Sequence, residues 1–262
     1  MLTHRLSVPA ALTLCALTVG CADSAEQTWS YEDPTGPEQW GSLDEEYATC
    51  DDGEAQSPIN LPSPSPETET EGEQAEAEVI EAVFAETMPA GSAYDSGHAL
   101  EFSPEDDGAA ELTYEGTEYA LDQIHIHTPS EHTVDGEQLA AEFHLVHETE
   151  DGELLVLGVL AESGGGDPRL DAFADAAAQS SETAIEFPLD LLLSEEADLL
   201  SYDGSLTTPP CSEGVQWLVL QDPVELSEEQ LTALEAAHSD NARPTQPLND
   251  REISSGSAAA EH

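Results

Sequence analysis

Two short runs of alternating polar and apolar residues constrain the fold of this chain more than any other feature. Alternation places residues i and i+2 on one face of a β-strand, so His125 and His127 project together. In the run Ala140–His147, the side chains of Glu142 and His144 share a face in the same way. If the two runs pair in one sheet, three imidazoles meet on its surface.

Such a set of three imidazoles is suited to a zinc ion. It leaves the fourth tetrahedral position free for water, which is typical of a catalytic rather than a structural site. Gln123 and Glu142 lie on the same faces and can accept the second ring N–H of a ligand histidine, which fixes its tautomer. A His-x-His pair on a strand is often only structural. The pattern alone therefore leaves open whether His125, His127 and His144 bind a metal.

The histidine runs belong to a longer series of motifs that resembles the α-class carbonic anhydrases. The resemblance covers about residues 29–251. The other motifs that carry it are, in chain order, Trp29-Ser-Tyr31, Gln56-Ser-Pro-Ile-Asn60, Gly97-His98-Ala99, Ser205-Leu-Thr207-Thr208-Pro-Pro210, Val215-Gln-Trp217 and Asn241-Ala-Arg243-Pro-Thr-Gln-Pro-Leu-Asn-Asp-Arg251. On these motifs the chain is identified as a member of that family.

The resemblance implies a fold and an activity. The implied fold is mostly β (α+β), with a single large, twisted, mainly antiparallel sheet and short peripheral helices; periodicity alone predicts only a strand-rich chain. The implied reaction is the reversible hydration of carbon dioxide to bicarbonate and a proton by zinc-bound hydroxide. The zinc ligands match His125, His127 and His144, with Gln123 and Glu142 behind them.

Further residues match family roles by position. Thr207 matches a threonine that accepts a hydrogen bond from the zinc hydroxide and donates one to a buried carboxylate, here Glu131. His98 matches the histidine proton shuttle. Glu101 stands where many members carry a neutral amide, and a carboxylate there is expected to raise the pKa of His98. The remaining matches are Tyr31 and Ser96, which order water on the proton path, and the substrate-pocket residues Val146, Val156, Leu206, Thr208, Val215 and Trp217.

The chain is strongly acidic. Its 262 residues contain 57 Asp and Glu, four arginines and no lysine, for a formal net charge of −53. The acids are spread along the chain, and apolar runs such as Leu154–Leu160 can supply a core, which favours a folded domain over a disordered one. We interpret the composition as adaptation to high salt, with an ordinary acidic secreted protein as the alternative. The lack of a basic patch excludes nucleic acid as a partner.

The N-terminus is predicted to direct export. Arg5 precedes an apolar stretch of 14 residues, Leu6–Val19, which is too short to span a bilayer. The segment Thr18-Val19-Gly20-Cys21 resembles a bacterial lipoprotein cleavage site with Cys21 as the lipidated residue, and cleavage nearby without lipidation is the alternative. The predicted location is periplasmic or at the cell surface, with a lipid anchor as the only attachment to a membrane.

The chain has four cysteines. Cys15 lies in the predicted signal peptide and Cys21 is the predicted lipidation site, so two cysteines remain that could pair. The positions of Cys50 and Cys211 resemble those of the single disulfide in secreted and bacterial family members. Two free buried thiols are the alternative. A disulfide indicates an oxidising compartment, which agrees with export.

The sequence also predicts how the chain is organised. The loop Pro62–Ala75 is expected to be solvent-exposed, and helices are expected at Leu170–Gln179 and Ser227–His238, where Ser227 and Gln230 resemble a capping box. The predicted segments are a signal peptide at 1–20, a linker at 21–28, one domain at 29–251 and a disordered tail at 252–262.

Two other functions are compatible with this pattern. Family relatives that have lost a zinc histidine act as binding modules without catalysis, whereas this chain keeps all three histidines together with Thr207 and Glu131. A zinc hydrolase would use the same hydroxide on esters, and we expect at most a weak esterase side activity. The sequence does not indicate an oligomeric state.

Overall fold

A computed structural model describes residues 29–63, 78–84, 88–106, 108–179, 181–192 and 196–261. The predicted signal peptide, the linker with Cys21, and residues 64–75 of the predicted surface loop lie outside these ranges. Within them, no helix is long and apolar enough to cross a membrane.

Strands dominate the described residues. A small sheet contains β1 (Asn60–Leu61), β7 (Thr133–Val134) and β8 (Glu137–Gln138). The large sheet contains β2 (Glu78–Phe84), β3 (Ala90–Asp95), β4 (Leu100–Pro104), β5 (Ala110–Tyr114), β6 (Thr117–His127), β9 (Ala141–Glu148), β10 (Leu154–Ser163), β11 (Thr183–Glu186), β12 (Glu196–Ser205), β13 (Glu213–Leu226) and β14 (Ser254–Glu261).

The large sheet has the order β11-β3-β4-β6-β5-β2-β14-β12-β13-β10-β9. Among its described pairings, β10 with β13 and β14 with β2 are parallel, and the others are antiparallel. Strand β6 is long enough to pair with both β4 and β5 along one edge, while its other edge pairs with β9. The predicted fold class, a single large and mainly antiparallel sheet, is confirmed.

Helices in the described ranges are short and peripheral: α1 (Trp40–Leu43), α2 (Thr49–Asp52), α3 (Asp171–Ala176) and α4 (Glu228–Ala237), with single 3₁₀ turns at Pro37–Gln39, Glu45–Tyr47, Pro168–Leu170 and Leu189–Leu191. The predicted capping box is present at the start of α4. Ser227 Oγ accepts from Gln230 N at 3.2 Å, and Gln230 Oε1 accepts from Ser227 N at 2.9 Å. The helix predicted at Leu170–Gln179 is shorter than expected.

The tail at 252–262 was expected to be disordered, and this prediction is wrong. Most of it forms β14, which pairs antiparallel with β12 from Glu196↔Ala259 to Ser201↔Ser254 and parallel with β2. Its serine, glycine and alanine residues have a weak intrinsic preference for strands. Backbone hydrogen bonds to a strand on each side override that preference, since they require no particular side chain.

Apolar side chains pack on both faces of the sheet. In β9, β10 and β13, alternate residues enter different clusters: Phe143, Leu157 and Leu218 belong to one, and Val156 and Trp217 to the other. The larger cluster packs under α3 and α4 and forms the main core. The three histidines lie on the face of the smaller cluster.

The predicted disulfide between Cys50 and Cys211 is confirmed. It joins α2 to the turn that follows Thr207. The Arg243 guanidinium supports the same region, since it donates to the Ser57 and Cys50 carbonyl oxygens at 2.7 and 2.8 Å. The loops that border the histidine face are therefore fixed to the N-terminal segment by covalent and hydrogen bonds.

Candidate metal centre

The three histidines meet because of the register of two strands. β6 and β9 pair so that His125 lies directly opposite His144, and His127 is two residues further along β6 on the same face. The ring centroids are 4.7 to 5.0 Å apart. One nitrogen from each ring can be chosen so that the three lie within 4.8 Å of one another.

The nitrogens that face each other fit a zinc ion. His125 Nε2 and His144 Nδ1 are 3.2 Å apart, close to the separation of about 3.3 Å between two nitrogens that each lie ~2.0–2.1 Å from one tetrahedral zinc. His127 Nε2 is buried and has no hydrogen-bond partner among the described residues. An unsatisfied buried polar atom is costly, and a cation among the three rings would satisfy it.

All three imidazoles are held neutral, which is the form that binds metals. Burial is the main cause: it lowers the pKa of His127 to about 4 and the pKa of His125 well below its usual value. Repulsion among the three rings acts in the same direction. The pKa of His144 is lowered by burial as well, although the Glu142 carboxylate opposes the shift.

Each histidine contacts an acceptor through its outer nitrogen. His125 Nδ1 is 2.9 Å from Gln123 Oε1. His144 Nε2 is 3.0 Å from Glu142 Oε1, a close contact outside hydrogen-bond geometry, so the structure places both predicted partners beside their histidines. The third partner, 2.6 Å from His127 Nδ1, is the backbone carbonyl of Asn241.

Asn241 was not predicted as a site residue. Its side chain fixes the segment that offers the carbonyl, because Oδ1 accepts from Thr128 N at 2.8 Å and Nδ2 donates to Ile126 O at 3.2 Å. A backbone carbonyl has no sequence signature of its own. The only available signal was that Asn241 opens one of the family motifs.

Glu142 is the most heavily bonded acid of the site. Its Oε2 accepts from the backbone N–H groups of Glu131 and His132 at 2.9 and 2.8 Å, and its Oε1 lies 2.6 Å from His132 Nδ1. His132 and His144 together lower the pKa of Glu142 well below its usual value, against the effect of burial. Gly158 leaves room for this carboxylate, since a Cβ there would lie 3.0 Å from Glu142 Oε1.

Glu131 is fully buried beside the three rings. Its Oε1 accepts from Arg243 N at 2.7 Å, and its Oε2 lies 3.5 Å from His127 Nε2 and 4.0 Å from His144 Nδ1. Burial raises the pKa of Glu131 to about 7, while the neighbouring His144 and the Thr207 hydroxyl act to lower it. A dication among the histidines would act in the same direction as His144 and Thr207 and lower the pKa of Glu131.

The predicted substrate-pocket residues lie together. The smaller apolar cluster contains Val146, Val156, Val215 and Trp217, and Leu206 packs against it. The centroid of the Trp217 ring is 4.9 Å from that of His144. Thr208 is half-buried in the adjacent turn, where its carbonyl accepts from Cys211 N at 2.8 Å. The face that carries the histidines therefore has an apolar wall.

The predicted proton shuttle, His98, is half-buried and stacks on Trp29 with 3.7 Å between ring centroids. Burial lowers its pKa, the charge of His238 acts in the same direction, and Asp95 opposes both. The expectation that Glu101 raises this pKa is wrong. Glu101 instead accepts a hydrogen bond from the Tyr94 hydroxyl, and the acid that acts to raise the pKa of His98 is Asp95.

The two residues predicted to order water have specific positions. Ser96 Oγ donates to Ala99 O at 3.0 Å and accepts from Ala99 N at 3.2 Å, which closes the turn that carries His98. The Tyr31 ring packs edge-to-face against Trp29 and Trp40, and burial raises the pKa of its hydroxyl. Their role on the proton path stays a prediction.

The fold and the site define a class of protein: one large sheet that presents three neutral imidazoles, a buried carboxylate and an apolar wall on one face. The profile of the eukaryotic-type carbonic anhydrase family matches residues 35–257. A carbonic anhydrase of Klebsiella pneumoniae is 37% identical over 239 residues, which is 86% of this chain and 89% of the relative. The chain belongs to this α-class family, whose reaction is the hydration of carbon dioxide.

Solved structures agree with this assignment. The α-carbonic anhydrase from Thermovibrio ammonificans, solved with the inhibitor sulfanilamide, is 34% identical with a TM-score of 0.74, over 87% of this chain and 98% of the other. A dioscorin complexed with ascorbate is 32% identical with a TM-score of 0.75, over 87% of this chain and 97% of the other. Proteins with more than one kind of ligand therefore share the fold.

Proposed function

We propose that the protein catalyses the reversible hydration of carbon dioxide with a zinc ion bound by His125, His127 and His144. The observation that carries the proposal is the set of three neutral, inward-facing imidazoles, with one nitrogen of each within 4.8 Å of the others. Zinc, when bound there, lowers the pKa of a water ligand to about 7 and so supplies a hydroxide nucleophile at neutral pH.

The outer partners select the tautomer of each histidine. Amide and peptide carbonyl oxygens only accept hydrogen bonds, so Gln123 and Asn241 require the proton on Nδ1 of His125 and His127 and leave Nε2 free. For His144, a proton on Nε2 would face the Glu142 carboxylate 3.0 Å away and leave Nδ1 free. The three free nitrogens are those that face one another.

Thr207 and Glu131 are proposed to orient the nucleophile. When the Thr207 hydroxyl donates its proton to the Glu131 carboxylate, its oxygen can only accept. A hydroxide nucleophile at the site would then donate its single proton to Thr207, so that Thr207 would direct a lone pair of the nucleophile toward the substrate. Both residues are almost fully buried, so little water would compete for these proposed hydrogen bonds, and Glu131 Oε2 has no hydrogen-bond partner among the described residues.

The apolar wall is proposed to bind carbon dioxide, which has no net charge and little polarity. Val146, Val215 and Trp217 offer it an apolar surface beside the histidines. Bicarbonate is charged and gains little from that surface, which favours its release. Thr208, at the edge of the wall, is proposed to contact the product.

Removal of the metal tests this function directly. Carbon dioxide hydration, followed by stopped flow, is expected to fall to the uncatalysed rate after treatment with a zinc chelator. It should return when one equivalent of Zn²⁺ is added. An activated ester assayed in parallel should show at most weak hydrolysis. Hydration that persists in demonstrably metal-free protein contradicts the proposal.

His98→Ala is expected to slow hydration in dilute buffer while leaving the interconversion of carbon dioxide and bicarbonate nearly intact. We propose that His98 accepts the proton that the reaction releases, and a positioned acid or base typically contributes about 10²–10⁴-fold. Oxygen-18 exchange separates the two steps. Added imidazole buffer should restore part of the rate, and a mutant that equals the wild type in dilute buffer would show that the proton leaves by another path.

We also propose that the protein is exported and carries lipid on Cys21. The confirmed disulfide supports an oxidising compartment. Cys21 itself lies outside the described residues, so the support for lipidation is the sequence motif. The mass of the mature N-terminal peptide distinguishes a lipidated Cys21 from simple cleavage.

A further inference from the structure

A row of directly opposed residues crosses the site-bearing face of the sheet. In the register of β3, β4, β6 and β9, Tyr94 lies opposite Glu101, Glu101 opposite His125, and His125 opposite His144. Directly opposed residues of antiparallel strands point to the same face, with Cβ atoms about 4.5–5.5 Å apart. Glu101 is therefore the immediate neighbour of a metal-site histidine, on the side away from the apolar wall.

The position of the Glu101 carboxylate is fixed. Glu101 is half-buried and accepts a hydrogen bond from the Tyr94 hydroxyl, which also lies 3.4 Å from Ser103 Oγ. Burial raises the pKa of Glu101, the hydrogen bond from Tyr94 opposes this shift, and the charge of Asp122 adds to it. No arginine among the described residues makes an ion pair with it. Its negative charge is therefore held beside the site without a compensating cation.

We propose that Glu101 makes the metal site selective against anions: its fixed charge weakens the binding of monovalent anions such as chloride and does not oppose uncharged carbon dioxide. The inference rests on the proposed function, since anions compete at this place only when a metal is bound. With an assumed separation of roughly 8 Å between the two charges and an effective dielectric constant of about 20 to 40, Coulomb's law gives an expected effect on anion affinity of about five- to thirtyfold.

A charge in this place acts differently from the acidic surface as a whole. Charges in water are screened within about 3 Å in molar salt, but partly buried charges close to a site are screened much less. The general negative charge of the chain therefore gives little protection against chloride when chloride is most abundant. A half-buried carboxylate next to His125 retains its effect under those conditions.

The test compares Glu101→Gln with a matched variant, Glu111→Gln. Glutamine keeps the shape of Glu101 and can still accept from Tyr94, whereas Glu111 is exposed on β5 and undergoes the same change of charge. The probe is the visible absorption of the cobalt(II)-substituted protein, titrated with thiocyanate and chloride from roughly pH 6 to 8.5, so that anion affinity for the water-bound form, below the water pKa of about 7, is separated from competition with hydroxide. Inhibition of carbon dioxide hydration by the same anions is measured in parallel.

We expect the water-bound form of Glu101→Gln to bind thiocyanate about five- to thirtyfold more tightly than that of the wild type, with a smaller change in kcat/KM for carbon dioxide. Glu111→Gln should stay within about twofold of the wild type, since an exposed distant charge is screened. An unchanged anion affinity in Glu101→Gln, or an equal shift in Glu111→Gln, overturns the inference while cobalt binding and hydration remain normal. A protein that neither binds cobalt nor hydrates carbon dioxide overturns the proposed function, and this inference with it.

Discussion

Replacing His144 with alanine is expected to abolish most zinc binding and, with it, nearly all hydration of carbon dioxide. The change removes one of three inward-facing imidazoles and leaves two that cannot complete a tetrahedral site with one open position. It also removes a bonding partner of the buried Glu142 carboxylate. Zinc per chain, measured by mass spectrometry on protein that has been dialysed against zinc, should fall from one to near zero.

Two other substitutions distinguish loss of a ligand from damage to the fold. Glu142→Gln keeps the shape of the side chain but removes the charge behind His144, and its loss of zinc affinity should be milder, about 10–100-fold. His147→Leu lies on the same strand but on the opposite face, where burial lowers the pKa of the histidine to about 4. It should leave one zinc per chain. Full zinc content and activity in His144→Ala would contradict the proposed ligand set.

The position of the histidines could be predicted from the sequence because strand alternation fixes the face of each side chain. A one-residue change of register would move every side chain of a strand to the other face. If the two alternating runs pair with their apolar residues on one face, His125 and His144 must share the other face. Gln123 and Glu142 followed from the same rule, since each lies two residues from a ligand histidine. The predicted disulfide came from the family resemblance instead.

Other parts of the site depend on contacts between distant segments. The carbonyl of Asn241 reaches His127 across 114 positions of the chain, and any residue type could have supplied that oxygen. The pKa of His98 depends on burial, on His238 and on Asp95, and the ring of His98 stacks on Trp29. The sequence suggested Glu101 instead, because Glu101 lies only three residues from His98 in the chain. The tail after Arg251 was assigned to disorder because its composition suggested flexibility, whereas its structure comes from the strands β12 and β2 on either side.

We propose that the protein is adapted to high salt, and the charge balance of the described residues supports this proposal. Arg243 and Arg251 direct their guanidinium groups at backbone carbonyl oxygens, and Arg169 pairs with Asp167 and Asp190. In the described ranges, no other aspartate or glutamate makes an ion pair with an arginine. The acidic surface is therefore compensated almost entirely by solvent ions, and removal of residues 1–20 makes the balance one unit more negative because it takes away Arg5 and no acid.

Thermal stability is consequently expected to rise steeply with salt. Screening relieves the repulsion among acids that folding brings close together. If several kcal/mol are relieved, Tm should rise by roughly 10 °C between about 0.05 and 2 M NaCl, at about 2–4 °C per kcal/mol for a domain of this size. Calorimetry measures this shift, and sucrose in place of salt controls for general exclusion of solute.

The double substitution Glu111→Gln with Glu118→Gln separates charge repulsion from other effects of salt. Both residues are exposed on the hairpin of β5 and β6, so their neutralisation should raise Tm in dilute buffer. In about 2 M NaCl the Debye length is below about 3 Å, and the same variant should then match the wild type. A wild-type Tm that is flat or falls with salt would remove the case for saline adaptation. A variant whose gain persists in high salt would assign the effect to something other than charge.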